Sequence, residues 1–73
     1  MSSLATLPAN QTARITGFDL TPERQRRLLE MGLTTGTPVR VIRCAPLGDP
    51  MEVEVRGTRL ALRKQEAKGI HVA

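Results

Sequence analysis

Residues 28–42, LLEMGLTTGTPVRVI, leave the chain few choices. Met31-Gly32-Leu33 reads as a helix end. Gly32 takes the left-handed position that glycine reaches without a Cβ penalty, and Leu33 folds back onto Leu28. Thr35-Gly36 supplies a second reversal, with Gly36 at a turn position of positive φ. Pro38 biases Thr37 toward extended geometry and opens a strand without needing a donor. The segment therefore turns a helix sharply into a sheet, and everything else must close around that corner.

Little chain remains to do so. At 73 residues the sequence has the length of one domain, 1–73, with a loosely ordered lead-in over 1–8 from which Leu4 and Leu7 are expected to tuck against the core. Residues 11–18, QTARITGF, alternate apolar and polar and read as a strand. Thr21-Pro22-Glu23 is a helix start: a hydroxyl cap, proline at the first helical position and an acid at the positive end of the dipole. That helix runs to about Met31, with a narrow apolar face of Leu28, Leu29 and Met31. PVRVIRC, MEVEV and TRLALR then alternate as strands. Ala45-Pro46-Leu47-Gly48-Asp49-Pro50 separates the first two, and the hairpin signal Arg56-Gly57 separates the last two. Residues 64–68 read as one helical turn stopped by Gly69, and Ile70 and Val72 close the chain as a short strand. The expectation is a mainly β fold: a small barrel of about five short antiparallel strands, with one helix inserted after the first. Glu52 and Glu54 are expected to pair with Arg59 or Arg63 across the hairpin.

The inventory of reactive groups is thin. Structural zinc needs about four nitrogen or sulfur ligands at set spacing. Cys44, His71 and three methionines do not supply them. Cys44 reads as a buried or half-buried strand residue and His71 as solvent-facing. One cysteine permits no internal disulfide, which fits a reducing compartment. No glycine-rich phosphate loop or nucleophile–base pair stands out. The expectation is a chain with no catalytic residues, no metal and no cofactor. Residues 1–16 lack the basic and apolar regions of a signal peptide, and no apolar run approaches the roughly 20 residues that cross a bilayer.

The formal net charge is +4, and nine of the 11 basic residues are arginine. That favours an acidic or anionic partner. Arg24, Arg26 and Arg27 cluster on the helix as a solvated face or an anion-binding one. Nucleic acid is the alternative partner, although a single Phe and no Trp or Tyr leave little to stack bases. Self-association through an exposed strand edge is a third reading. The 45–50 loop is the more specific candidate for a contact surface, because it is conformationally restricted and carries Leu47 at its tip.

Several pieces together resemble the FeoA family: Ile15-Thr16-Gly17-Phe18, Arg27-Leu28-Leu29-Glu30-Met31-Gly32-Leu33, the A-P-L-G-D-P loop at 45–50 and Leu60-Ala61-Leu62-Arg63-Lys64. Gly36-Thr37, Val39, Val41, Val55, Gly57, Glu66-Ala67, Ile70 and Val72 extend the match over nearly the whole chain after Leu7. Thr35 departs from it, since proline is common there. The resemblance implies an SH3-like barrel and a non-enzymatic accessory role in bacterial ferrous iron uptake. The partner it implies is the cytoplasmic region of FeoB, a membrane Fe(II) transporter with a GTP-binding domain. It places the chain in the cytoplasm, at the inner face of the membrane only through that partner and with no insertion of its own. The fold also ends metal-dependent repressors, but no DNA-binding helix pair lies ahead of the matched residues, which favours a free-standing protein. The expected contact residues are Leu47, Gly48, Asp49 and Pro50, with Leu29 and Met31 at the helix end.

Overall fold

A computed structural model describes residues 2–47 and 49–73. The chain order is β1 (Ser2–Ser3), a 3-10 turn (Leu4–Thr6), β2 (Thr12–Phe18), α1 (Pro22–Glu30), β3 (Pro38–Cys44), β4 (Met51–Val55), β5 (Thr58–Leu62), α2 (Lys64–Lys68) and β6 (Ile70–Val72). Six strands form one sheet in the order β1-β6-β2-β3-β4-β5. Every pairing is antiparallel.

The sheet wraps because β2 changes partner along its length. Thr12, Ala13 and Arg14 pair with β3, while Ile15, Gly17 and Phe18 pair with β6. A bulge at Thr16, between the Ile15 and Gly17 pairings, bends the strand where the partner changes. The two halves of the sheet thus enclose one core, and Ile15, Val39, Val41, Met51, Val53, Leu62, Ile70 and Val72 all point into it, each 2% exposed or less. Burying these side chains is the main favourable term in the fold, at roughly 1.5–3 kcal/mol each before entropy is set against it.

The corner forms as its sequence predicts. Thr21 Oγ1 accepts from Arg24 N at the start of α1. At its end Leu33 N donates to Leu28 O at 3.0 Å and Gly32 N to Leu29 O at 3.0 Å, the paired bonds of a Schellman cap. Gly32 sits at φ +94° and Gly36 at φ +88°. Leu28 and Leu33 are both fully buried. Thr37 is buried too, and its hydroxyl meets that of Thr34 at 2.7 Å.

The mainly β antiparallel fold is as expected, and three details differ. The described residues form six strands where about five are expected, because Ser2 and Ser3 pair with Val72 and His71 of β6. This ties down much of the lead-in that the sequence reads as loose, and Leu4 is fully buried against the core. Second, of the apolar helix residues only Leu28 is buried. Leu29 is 39% and Met31 36% exposed, because a nine-residue helix crossing so small a sheet covers one narrow stripe. Third, the strand carboxylates pair with β3 and not across the β4–β5 hairpin: Arg40 holds Glu54 at 3.1 Å and Arg43 holds Glu52 at 2.9 Å. A register shift between Val41 and Arg43 brings this about. The extra residue, Ile42, lets two arginines three apart face two glutamates two apart.

Candidate functional site

The 45–50 loop joins β3 to β4 and is held at its base. Ala45 N donates to Pro50 O at 3.0 Å. Asp49 Oδ1 accepts from Lys64 N at 3.1 Å, so a loop carboxylate caps the first turn of α2. Between these two anchors Leu47 is 93% exposed. Asp49 and Pro50 are also exposed. Gly48, the remaining expected contact in this loop, lies outside the described residues. The large hydrophobics exposed among the described residues are Leu29, Met31 and Leu47, all three of them expected contact residues.

The loop and the helix end are connected through α2. Glu66, 5% exposed, accepts from Arg63 N through Oε1 at 3.1 Å and from Arg27 of α1 through Oε2. One carboxylate therefore fastens α2 to α1, while Asp49 fastens the loop to α2. Arg27 lies on one flank of the buried Leu28 stripe; Leu29, 100° further around the helix, lies on the other. Leu29 is thus turned away from the flank that meets α2. Hydrogen bonding links the loop to the Arg27 side of the helix, and Leu29 stands apart from it.

Sequence reasoning missed what lies between the two helices. Glu23, Arg24, Arg27, Arg63, Gln65 and Glu66 line an open cleft of about 320 Å³. The Arg24-Arg26-Arg27 run was a visible signal for half of it. That Arg63 and Glu66 come to face that run follows only from the sheet order, which brings α2 beside α1. A second, shallower cleft of about 220 Å³ lies among Thr12, Pro38, Arg40, Glu54, Arg56 and Gly57.

Cys44, opposite Met51 at the end of β3, is exposed, where the sequence predicts a buried or half-buried residue. His71 is half-buried between β1 and β2, its Cα neighbours being Ser3 and Gly17. Among the described residues no three His, Cys, Asp or Glu side chains gather as a metal site would require. No helix of the described residues is long and apolar enough to cross a membrane.

Comparison with known proteins accounts for this architecture. The model of the FeoA domain family matches residues 2–73. The chain belongs to the FeoA family. The solution structure of FeoA from Chlorobium tepidum is 43% identical, with a TM-score of 0.91 over 96% of this chain and 67% of that one. A crystal structure of Stenotrophomonas maltophilia FeoA complexed with zinc, described as an SH3 domain protein, is 34% identical, with a TM-score of 0.82 over 100% of this chain and 91% of that one. The sheet is accordingly an SH3-like fold. An Fe(2+) transport protein A/Fe(2+) transporter FeoB fusion protein of Porphyromonas gingivalis is 38% identical over 48 residues. That match takes in 66% of this FeoA-family chain and 6% of the fusion protein.

Proposed function

We propose that this chain is a non-enzymatic accessory of bacterial ferrous iron uptake that docks on the cytoplasmic region of an FeoB-type transporter and modulates it. The observation that carries this reading is the Porphyromonas relative, in which an FeoA-like segment and the transporter share one polypeptide. Covalent linkage of two modules raises their effective concentration for each other, which is useful where the modules engage. The Stenotrophomonas relative, put forward as a ferrous iron transport activating factor, points the same way.

The contact surface in this proposal is the tip and base of the 45–50 loop, namely Leu47, Gly48, Asp49 and Pro50, together with Leu29 and Met31 at the end of α1. A leucine 93% exposed on a loop closed at its base by two hydrogen bonds is an apolar anchor presented with little ordering cost. The test is capture of the transporter's cytoplasmic region by this chain, in nucleotide-free, GDP-bound and GTP-bound forms. Binding in at least one form is expected. No capture in any form, with unchanged iron uptake in a strain lacking the protein, overturns the proposal.

A further inference from the structure

We infer that the cleft between α1 and α2 is a carboxylate-binding site that receives an acidic segment of a partner protein. The inference rests on the docking reading above and gives that docking a second contact of defined chemistry.

Charge and geometry both lead there. The cleft holds three guanidinium groups, on Arg24, Arg27 and Arg63, and two carboxylates, on Glu23 and Glu66. Glu66 is already spent: it is almost fully buried, with one oxygen on Arg63 N and the other on Arg27. Arg27 is held in place by that contact but keeps 66% of its side chain exposed, so its remaining N–H groups are free to face the cleft. The guanidinium groups of Arg24 and Arg63 have no hydrogen-bond or ion-pair partner among the described residues. Gln65 adds a neutral donor at the rim. The contrast with the outer sheet face is instructive. There Arg40 and Arg43 are each matched by a glutamate of the same molecule. In the cleft, by contrast, Arg24 and Arg63 line a concave surface with no ion pair among the described residues, not even to Glu23, so guanidinium groups outnumber the one carboxylate left unpaired there.

Arginine forks match the planar geometry of carboxylates, and such clusters serve in acidic-motif recognition. A volume of about 320 Å³ accepts one or two acidic side chains and not a folded element. The position is apt for a docking module. Arg63 directly precedes Lys64, whose N–H holds Asp49 of the Leu47 loop. A partner seated on Leu47 therefore has the cleft beside it, and the chain's net charge of +4 favours an acidic approach.

The experiment is a titration of the ¹⁵N-labelled chain, with arginine Nε–H signals resolved, using a short poly-glutamate peptide as probe at low salt. Localised shifts at Arg24, Arg27, Arg63 and Gln65 are expected, fading as salt is added. The double variant R24A/R63A should bind the peptide about tenfold or more weakly, since each charge-assisted hydrogen bond contributes on the order of one decade. R26A, outside the cleft, should bind it unchanged. Both variants alter exposed side chains, and thermal melts confirm that each is folded. Shifts spread evenly over all basic residues, equal affinity in R24A/R63A, or response to inorganic phosphate with none to the peptide would each overturn the inference. Captured transporter separates the two readings. Capture by wild type and R24A/R63A alike overturns the inference and leaves the proposed function standing. No capture by wild type in any nucleotide form, with unchanged iron uptake in a strain lacking the protein, overturns the proposed function, and the peptide titration still decides the cleft.

Discussion

Two connections flank strand β3, and they are built in opposite ways. The corner before it, residues 32–37, turns its bulk inward. Leu33 is fully buried, Thr37 is buried with its hydroxyl paired, and two glycines absorb the backbone reversals. The connection after it, residues 45–50, turns its bulk outward and leaves Leu47 93% exposed. Both are fixed by hydrogen bonds, so the contrast is not one of order against looseness. A protein this small has few places to put an apolar side chain outside its core without a reason in packing. The corner spends its leucine on the fold, whereas the loop spends hydrogen bonds on holding a leucine in water.

If that contrast is sound, substitutions in the corner cost stability first. Leu33→Ala should have the largest effect, about 2–5 kcal/mol in denaturant unfolding, from the lost transfer energy and the cavity beside Leu28. Because the total stability of such a domain is roughly 4–11 kcal/mol, the variant loses a large share of its margin and its melting temperature falls with it. A loss under about 1 kcal/mol would show that the corner is peripheral to the fold. Next comes Gly32→Ala. Beyond its chain neighbours no atom lies within 4 Å of the added Cβ, so the backbone conformation at φ +94° is what opposes it. A cost of about 1–2 kcal/mol is expected from the left-handed region alone.

Asp49→Ala tests the joint between loop and fold. It removes the acceptor for Lys64 N, a capping contact typically worth about 1 kcal/mol. It should also reduce capture of the transporter region, both by removing a proposed contact and by leaving the Leu47 loop less ordered. A stability loss of that size with capture unchanged would show that loop order is irrelevant to docking and would sharpen the role of Leu47 alone.

How much of this the sequence carries depends on the range of the interaction. The corner was legible because its determinants are local: glycine at Gly32 and Gly36, proline at Pro38, and a leucine on either side of the cap lie within one short stretch. The strands were legible for the same reason, since the period of two shows in MEVEV and PVRVIRC without knowledge of their partners. The ion pairs were not. Glu52 and Glu54 had arginines available on both neighbouring strands, and a bulge at Ile42, invisible in an unbroken alternating run, decided for Arg40 and Arg43. The fate of the first residues was hidden likewise, because Ser2 and Ser3 become a strand only through β6 at the far end of the chain. Of the site, the loop and its exposed leucine could be read directly, while the Arg27–Glu66 joint and its cleft required the three-dimensional neighbourhood of α1 and α2.

The smallest stability effect should come from the residue on which the docking proposal leans most. Leu47→Ser exchanges a side chain already almost wholly in water, so unfolding should change by no more than about 0.5 kcal/mol. Its circular dichroism and melting curve should overlay those of wild type. If Leu47 is the anchor, the same variant loses capture of the transporter region, because a central apolar contact typically contributes about 2 kcal/mol or more to an interface. Leu29→Ser is the internal comparison. That side chain is only 39% exposed and sits on the helix flank turned away from α2, so a smaller loss of capture is expected. Equal losses in the two variants would extend the contact across α1. A loss in Leu29→Ser with none in Leu47→Ser would reverse the comparison, making the helix end the docking surface and the loop a mere connector.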